Sequence, residues 1–154
     1  TIFGEAEWAN GISGNSLKLD GLDDFIRIPN HIDFDFVTTH TISAWIYFND
    51  LPRWQTIIAK TDGSSQGKGW DLGIDGISQR LCMWYISSSN KYIHYFSECL
   101  SPRGWTHIAL TYSPTLDMGN KLKFFINGVE SRVNYEQVGS FDKVGTNDFD
   151  VCIG

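Results

Sequence analysis

The sequence predicts an antiparallel β-sandwich of jelly-roll type. Three observations point there. No stretch has helical periodicity of useful length. Strand-like runs recur instead, each bounded by Gly, Asn, Asp, Ser or Pro, at the spacing of an all-β sandwich. And the apolar run Phe124-Phe125-Ile126 leads into Asn127-Gly128-Val129, the strongest short-range hairpin signal a sequence offers. A type I′ turn needs positive φ at both central residues, which Asn and Gly adopt at least cost.

Taken in order, strands are predicted near Ser16–Leu19, Asp24–Ile28, Thr41–Phe48, Thr56–Lys60, Trp70–Ile74, Arg80–Ile86, Lys91–Ser97, Trp105–Tyr112, Lys121–Asn127, Val129–Val133 and Asp150–Ile153. Loops fall at 29–37, 50–54, 61–69, 113–120 and 135–147, with no repeat, low-complexity run or linker. A four-residue loop at Ser87-Ser88-Ser89-Asn90 pairs Ile86 with Lys91 and Cys82 with Tyr95. Cys82, Trp84, Ile86, Ile93 and Tyr95 then share one face; Leu81, Met83, Tyr85, Tyr92, His94 and Phe96 share the other. Both faces are apolar, whereas a strand half in water alternates with polar residues. Either the hairpin is covered on both sides or its second face is a recognition surface.

The chain has 154 residues, so a single domain with a real core is expected. Aromatics make up 14%, with six Trp, and suit both strands and binding surfaces. The net charge of −6 is a poor match for nucleic acid or anionic lipid and is compatible with neutral sugars and cations. No window has the ~18 consecutive apolar residues of a membrane span. The chain opens on Thr1 without a secretion signal and ends in strand-like Asp150-Val151-Cys152-Ile153-Gly154, so it reads as a piece of a longer protein. Cys82, Cys99 and Cys152 cannot all pair within one chain, and the expected hairpin register sets Cys99 beyond the ~7 Å reach of Cys82. Free, packed thiols are expected.

Gly14-Asn15-Ser16-Leu17-Lys18-Leu19-Asp20-Gly21, then Asp23-Asp24-Phe25-Ile26-Arg27-Ile28, Ile42-Ser43-Ala44-Trp45-Ile46, Gly69-Trp70-Asp71-Leu72, Trp105-Thr106-His107-Ile108-Ala109 and Asn127-Gly128 form an ordered set over residues 11–154. That set resembles the laminin G-like domains of the concanavalin A-like lectin/glucanase superfamily. The resemblance implies a jelly-roll β-sandwich that binds glycans or other extracellular macromolecules and only sometimes does chemistry. It places Trp45, Trp70 and Trp105 in the framework core. It also implies a further C-terminal strand with an Asp-Glu pair that is missing here, which would leave an open sheet edge for a partner to cover.

Retaining glucanases of that superfamily carry their carboxylates on one strand as Glu-x-Asp-x-x-Glu; Glu5, Glu7, Glu98, Glu130 and Glu136 do not have that spacing. Glu5 and Glu7 read as a solvated edge. No nucleophile elbow, zincin helix or phosphate loop is present, and the four His lack metal-ligand spacing. His107 reads as a hydrogen-bonded structural residue. Asp20, Asp23 and Asp24 lie between two strands, where they either hold Ca²⁺, which prefers carboxylates and loop carbonyls, or close a tight turn through backbone N–H groups. For a glycan, Trp54 is the aromatic least easily explained as core; Trp84 and Tyr95 follow as neighbours on one expected hairpin face. Asp62, Asn90 and Lys91 stand ready for sugar hydroxyls at strand ends. The expectation is a non-catalytic carbohydrate-binding or adhesion module, extracellular by resemblance. The alternative is a protein-binding or virion-structural module on the same fold, and the third reading is a glycoside hydrolase fragment.

Overall fold

The computed structural model describes residues 1–49, 53–62, 67–88 and 91–154, with backbone alone at Ser88. Fourteen strands follow in chain order: β1 Ile2–Phe3, β2 Glu7–Asn10, β3 Asn15–Lys18, β4 Phe25–Ile28, β5 His40–Tyr47, β6 Gln55–Lys60, β7 Gly69–Asp75, β8 Arg80–Ser88, β9 Lys91–Cys99, β10 Trp105–Tyr112, β11 Leu122–Ile126, β12 Val129–Ser131, β13 Asn134–Val138 and β14 Val151–Ile153. Short 3₁₀ turns at Ile32–Phe34 and Met118–Asn120 are the only helical pieces among the described residues.

Two antiparallel sheets stack. The large one runs β1-β4-β14-β6-β7-β8-β9-β13, the small one β12-β11-β10-β5, and β2 pairs with β3 as a separate ribbon. Alternation explains the packing. On β7 and β8, Trp70, Leu72, Ile74, Leu81, Met83 and Tyr85 turn inward and meet Ile108, Leu110, Tyr112, Leu122 and Phe124 of the small sheet. β14 lies inside the large sheet, Cys152 pairing with both Arg27 and Ala59. β5 pairs with β10 alone among the described residues. The hairpin turn forms as expected: Ile126 faces Val129, with φ of 52° at Asn127 and 81° at Gly128. Asn127 also anchors the turn to β10, its Oδ1 accepting from the His107 N–H at 2.9 Å. All three cysteines are free thiols.

Three expectations need correction. The β8–β9 hairpin pairs Ser88 with Lys91, Ile86 with Tyr92, Trp84 with His94 and Met83 with Tyr95. This is one residue off the four-residue-loop register, and a one-residue slip turns every side chain of one strand to the other face. Tyr95 therefore faces the core, where it is fully buried and its hydroxyl donates to the Met118 carbonyl at 3.3 Å. Trp84 shares its face with Tyr92, His94 and Phe96 instead.

The second correction concerns the framework tryptophans. Trp70 is buried, with Nε1 donating to the Phe34 carbonyl at 2.7 Å. Trp45 and Trp105 point away from the core, because Ile42, Ala44, Ile46, Ile108 and Leu110 occupy the inward positions of their strands. Trp45 is 49% exposed and rests on the half-buried ring of His107, whose hydrogen bonds run through its backbone. The third correction is β13, which occupies residues read as loop. All five of its residues are exposed. An edge strand with no buried face leaves no apolar alternation in the sequence.

Candidate ligand-binding face

The inner face of the large sheet is spent on the core; its outer face is partly covered, with Cys82 and Ile86 buried, and carries a group of half-buried aromatics. Register lines up Asp71 on β7, Trp84 on β8, His94 on β9 and Glu136 on β13 in one row across four strands. One step along lie Gly73, Cys82, Phe96 and Asn134, and one step further Asp75 and Arg80.

β7 is nearly bare on this side until its end, because its outward residues are Gly69, Asp71 and Gly73, followed by Asp75. Trp54 uses that space. A Cβ on Gly73 would stand 2.5 Å from Trp54 Cζ2, so the indole lies directly on the glycine. Its Nε1 donates to Thr56 Oγ1 at 3.1 Å, and Thr56 in turn reaches Asp71 Oδ2 at 3.5 Å. Asp71 Oδ1 is buried without a hydrogen-bond partner. Burial raises the Asp71 pKa to about 7, with Thr56 and Trp54 opposing the rise. This carboxyl is half protonated near neutrality, and its neutral form donates as well as accepts.

Beside it stands an aromatic ladder. Trp84 stacks on His94 with ring centroids 3.9 Å apart and planes within 9°. Tyr92 leans on Trp84 at 5.0 Å, Phe96 on His94 at 5.4 Å, and the Arg80 guanidinium sits 5.3 Å from the Phe96 centroid. Burial lowers the His94 pKa to about 4, so the imidazole is neutral at pH 7. The four rings are half-buried, neither packed in the core nor fully in water. A cavity of about 200 Å³ opens among Arg80, His94, Phe96, Asp75, Ser78 and Glu136.

Of the residues singled out from the sequence, Trp54 and Trp84 lie on this face. Tyr95 is on the opposite side of the sheet, as corrected above. Asp62 is exposed and lies against Gly67, beyond the far end of β6 from Trp54. The six residues of β6 separate the two by roughly 20 Å, so one sugar ring cannot touch both. Lys91 is exposed at the start of β9. Asn90 lies outside the described residues. Asp71, His94, Arg80 and Glu136 were not singled out. A signal for Asp71 is present: Gly69-Trp70-Asp71-Leu72-Gly73-Ile74 alternates bulky with bare positions, the pattern of a strand with one face open.

Asp20, Asp23 and Asp24 do converge, with one carboxylate oxygen of each within 4.8 Å of the others. Much of this set already closes the turn. Asp20 Oδ1 accepts from the N–H groups of Leu22 at 2.8 Å and Asp23 at 3.3 Å, which holds its carboxyl below the usual range. Buried Asp24 accepts from Glu5 N–H at 2.7 Å and from Asp20 N–H at 2.9 Å. The oxygen chemistry suits Ca²⁺, with Asp23 the carboxylate least engaged in the turn.

A two-sheet antiparallel sandwich with an aromatic-lined outer face defines a β-sandwich of lectin-like architecture. The family model of the concanavalin A-like lectin/glucanases superfamily, laminin G type, matches residues 20–154, and the chain belongs to this family. Such domains are commonly non-catalytic binding modules. No curated protein matches the chain. Among the described residues no helix is long and apolar enough to cross a membrane.

Proposed function

We propose that this domain is a non-catalytic carbohydrate-binding module of an extracellular protein, holding a glycan on the outer face of the large sheet around Trp84. The observation behind this reading is the half-buried ladder Tyr92–Trp84–His94–Phe96, bordered by Asp71 and Glu136 in the same row. A sugar needs an apolar wall for its C–H face and planar polar groups for its hydroxyls, and this row supplies both. Backbone spacing sets Asp71 too far from Glu136 and from Asp75 for either pair to suit hydrolysis. Asp71 and Glu136 are three strands apart, about 14 Å, against the ~5–9.5 Å that glycoside hydrolysis requires. Asp71 and Asp75 are four residues apart along β7, about 13 Å.

A glycan array probed with the purified domain tests the reading. Binding of a defined set of glycans supports it. An array with no hits, together with specific capture of a protein partner, moves the protein-binding or virion-structural alternative ahead. Hydrolysis of a polysaccharide panel restores the hydrolase reading.

Calcium is part of the proposal, on the convergence of Asp20, Asp23 and Asp24. Millimolar Ca²⁺ raises the melting temperature by mass action, EDTA reverses it, and Asp23→Ala abolishes the difference. Identical melts with and without the ion leave the three carboxylates as turn-closing groups only.

A further inference from the structure

Building on the carbohydrate reading, we infer that the cavity beside Arg80 is a subsite for one neutral pyranose ring, its adjacent hydroxyls held between Arg80 and Glu136. The cavity has the size of one sugar ring. About 200 Å³ is smaller than the ~300–1,000 Å³ of pockets that take drug-sized ligands, and it suits a single sugar ring.

Two hydrogen bonds beside it are unmade. Arg80 Nε and His94 Nε2 are both buried without a partner, and both residues line this cavity. Buried polar atoms are rarely left so, because each forfeits its hydration without return. The Phe96 ring and the Trp84 ring hold the two side chains in place through their flat faces, contacts that satisfy no N–H. Both atoms are closed to solvent in this arrangement; once the side chains shift to admit it, an incoming hydroxyl is an acceptor for the guanidinium and can either donate to or accept from a neutral imidazole.

The charges around the cavity favour a neutral sugar. Asp75 and Glu136 flank the cavity against the single cation Arg80, and neutral His94 adds no positive charge. Asp75 is occupied locally, accepting from Ser78 Oγ at 2.5 Å and from the Ile77 N–H at 3.1 Å. Glu136 is exposed on the edge strand and has no such local partner among the hydrogen bonds of the described residues. A uronic or sialic carboxylate entering here meets a net negative rim, at a cost that a hydroxyl does not incur. A neutral ring can donate to Glu136 from one hydroxyl and accept from Arg80 on the next.

The test is an NMR titration of the isotope-labelled domain with methyl glycosides of glucose, galactose and mannose and with the corresponding uronates, following the Arg80 Nε–H signal. At least one neutral glycoside is expected to shift that signal and to bind at least tenfold more tightly than its uronate. Glu136→Gln, a change on an exposed strand, is expected to weaken the neutral glycoside at least fivefold and to narrow the gap to the uronate. Arg80→Lys keeps the charge, removes Nε and is expected to weaken binding similarly, with melting temperature read alongside. Uronates preferred over neutral sugars, or neutral affinity unchanged in both variants, overturns the subsite. If those results come with glycan binding still lost in Trp84→Ala, the carbohydrate reading stands and only the subsite fails. No glycan binding of any kind removes both.

Discussion

Replacing Lys60 with methionine is expected to destabilise the domain by about 3–5 kcal/mol, the usual effect of removing one partner from a buried ion pair. The Lys60 side chain is fully buried at the end of β6. Its ammonium lies 2.6 Å from Asp35 Oδ1 and 2.6 Å from the Asn147 carbonyl. Asn147 completes the clamp, its Nδ2 donating to the carbonyls of Lys60 at 3.1 Å and Lys68 at 2.7 Å. One cation thus ties the segment before β5, the end of β6 and the segment before β14 together. Methionine fills the same space, so no cavity forms, but the largely buried Asp35 carboxylate and the Asn147 carbonyl lose their donor. Urea unfolding measures the loss. A double change, Lys60→Met with Asp35→Leu, is expected to recover much of it, because replacing both charges leaves no buried charge unpaired and only the Asn147 carbonyl without its donor. An unchanged urea midpoint in the single variant would mean that the clamp does not hold these segments.

The second large effect depends on pH. The Asp71 pKa is about 7 in the fold against an ordinary 3.8. Between those values the folded state binds more protons than the unfolded one, so the Asp71 contribution to stability falls as pH rises from about 4 to 7 and levels off above that. Three units correspond to a change on the order of 4 kcal/mol. The histidines oppose it in the same window. His94 is depressed to about 4 by burial. His40 is also lowered by burial, its Nε2 meeting the Tyr85 hydroxyl at 2.7 Å. Their contribution is present above about 6.5 and is lost as pH falls. Wild-type stability therefore hides the individual slopes, and a difference isolates one of them. Asp71→Asn keeps the shape and cannot ionise, so its stability relative to wild type should climb by a few kcal/mol from pH 4 to pH 8. A flat difference across that range would mean that Asp71 is solvated.

The strands of this fold were largely legible because their physical signals are local. Asn127-Gly128 requires positive φ, and β5, β7 and β10 alternate cleanly. What failed depended on information that no local window holds. The β8–β9 register turns on one residue at the hairpin end, and both strands are apolar on both faces, so nothing in the pattern penalises the wrong choice. That single slip moved Tyr95 onto the binding face and hid the pairing of Trp84 with His94. The resemblance places Trp45 and Trp105 in the framework core, yet strand alternation at Ile42, Ala44 and Ile46 already directs Trp45 outward. The proposed binding face is assembled from β7, β8, β9 and β13, and β13 has no sequence signal at all. Glu136 was thus read only as an isolated glutamate in a loop.

The proposed function depends on which face of the sandwich holds a glycan. Calorimetric titration of the best array ligand into wild type, Trp84→Ala and Trp45→Ala decides it, because half-buried Trp84 and exposed Trp45 lie on opposite sides of the molecule. The outer-face account predicts at least a tenfold loss of affinity in Trp84→Ala and wild-type affinity in Trp45→Ala, with both variants folded by circular dichroism. Affinity retained in Trp84→Ala and lost in Trp45→Ala would contradict it and place the glycan on the small sheet.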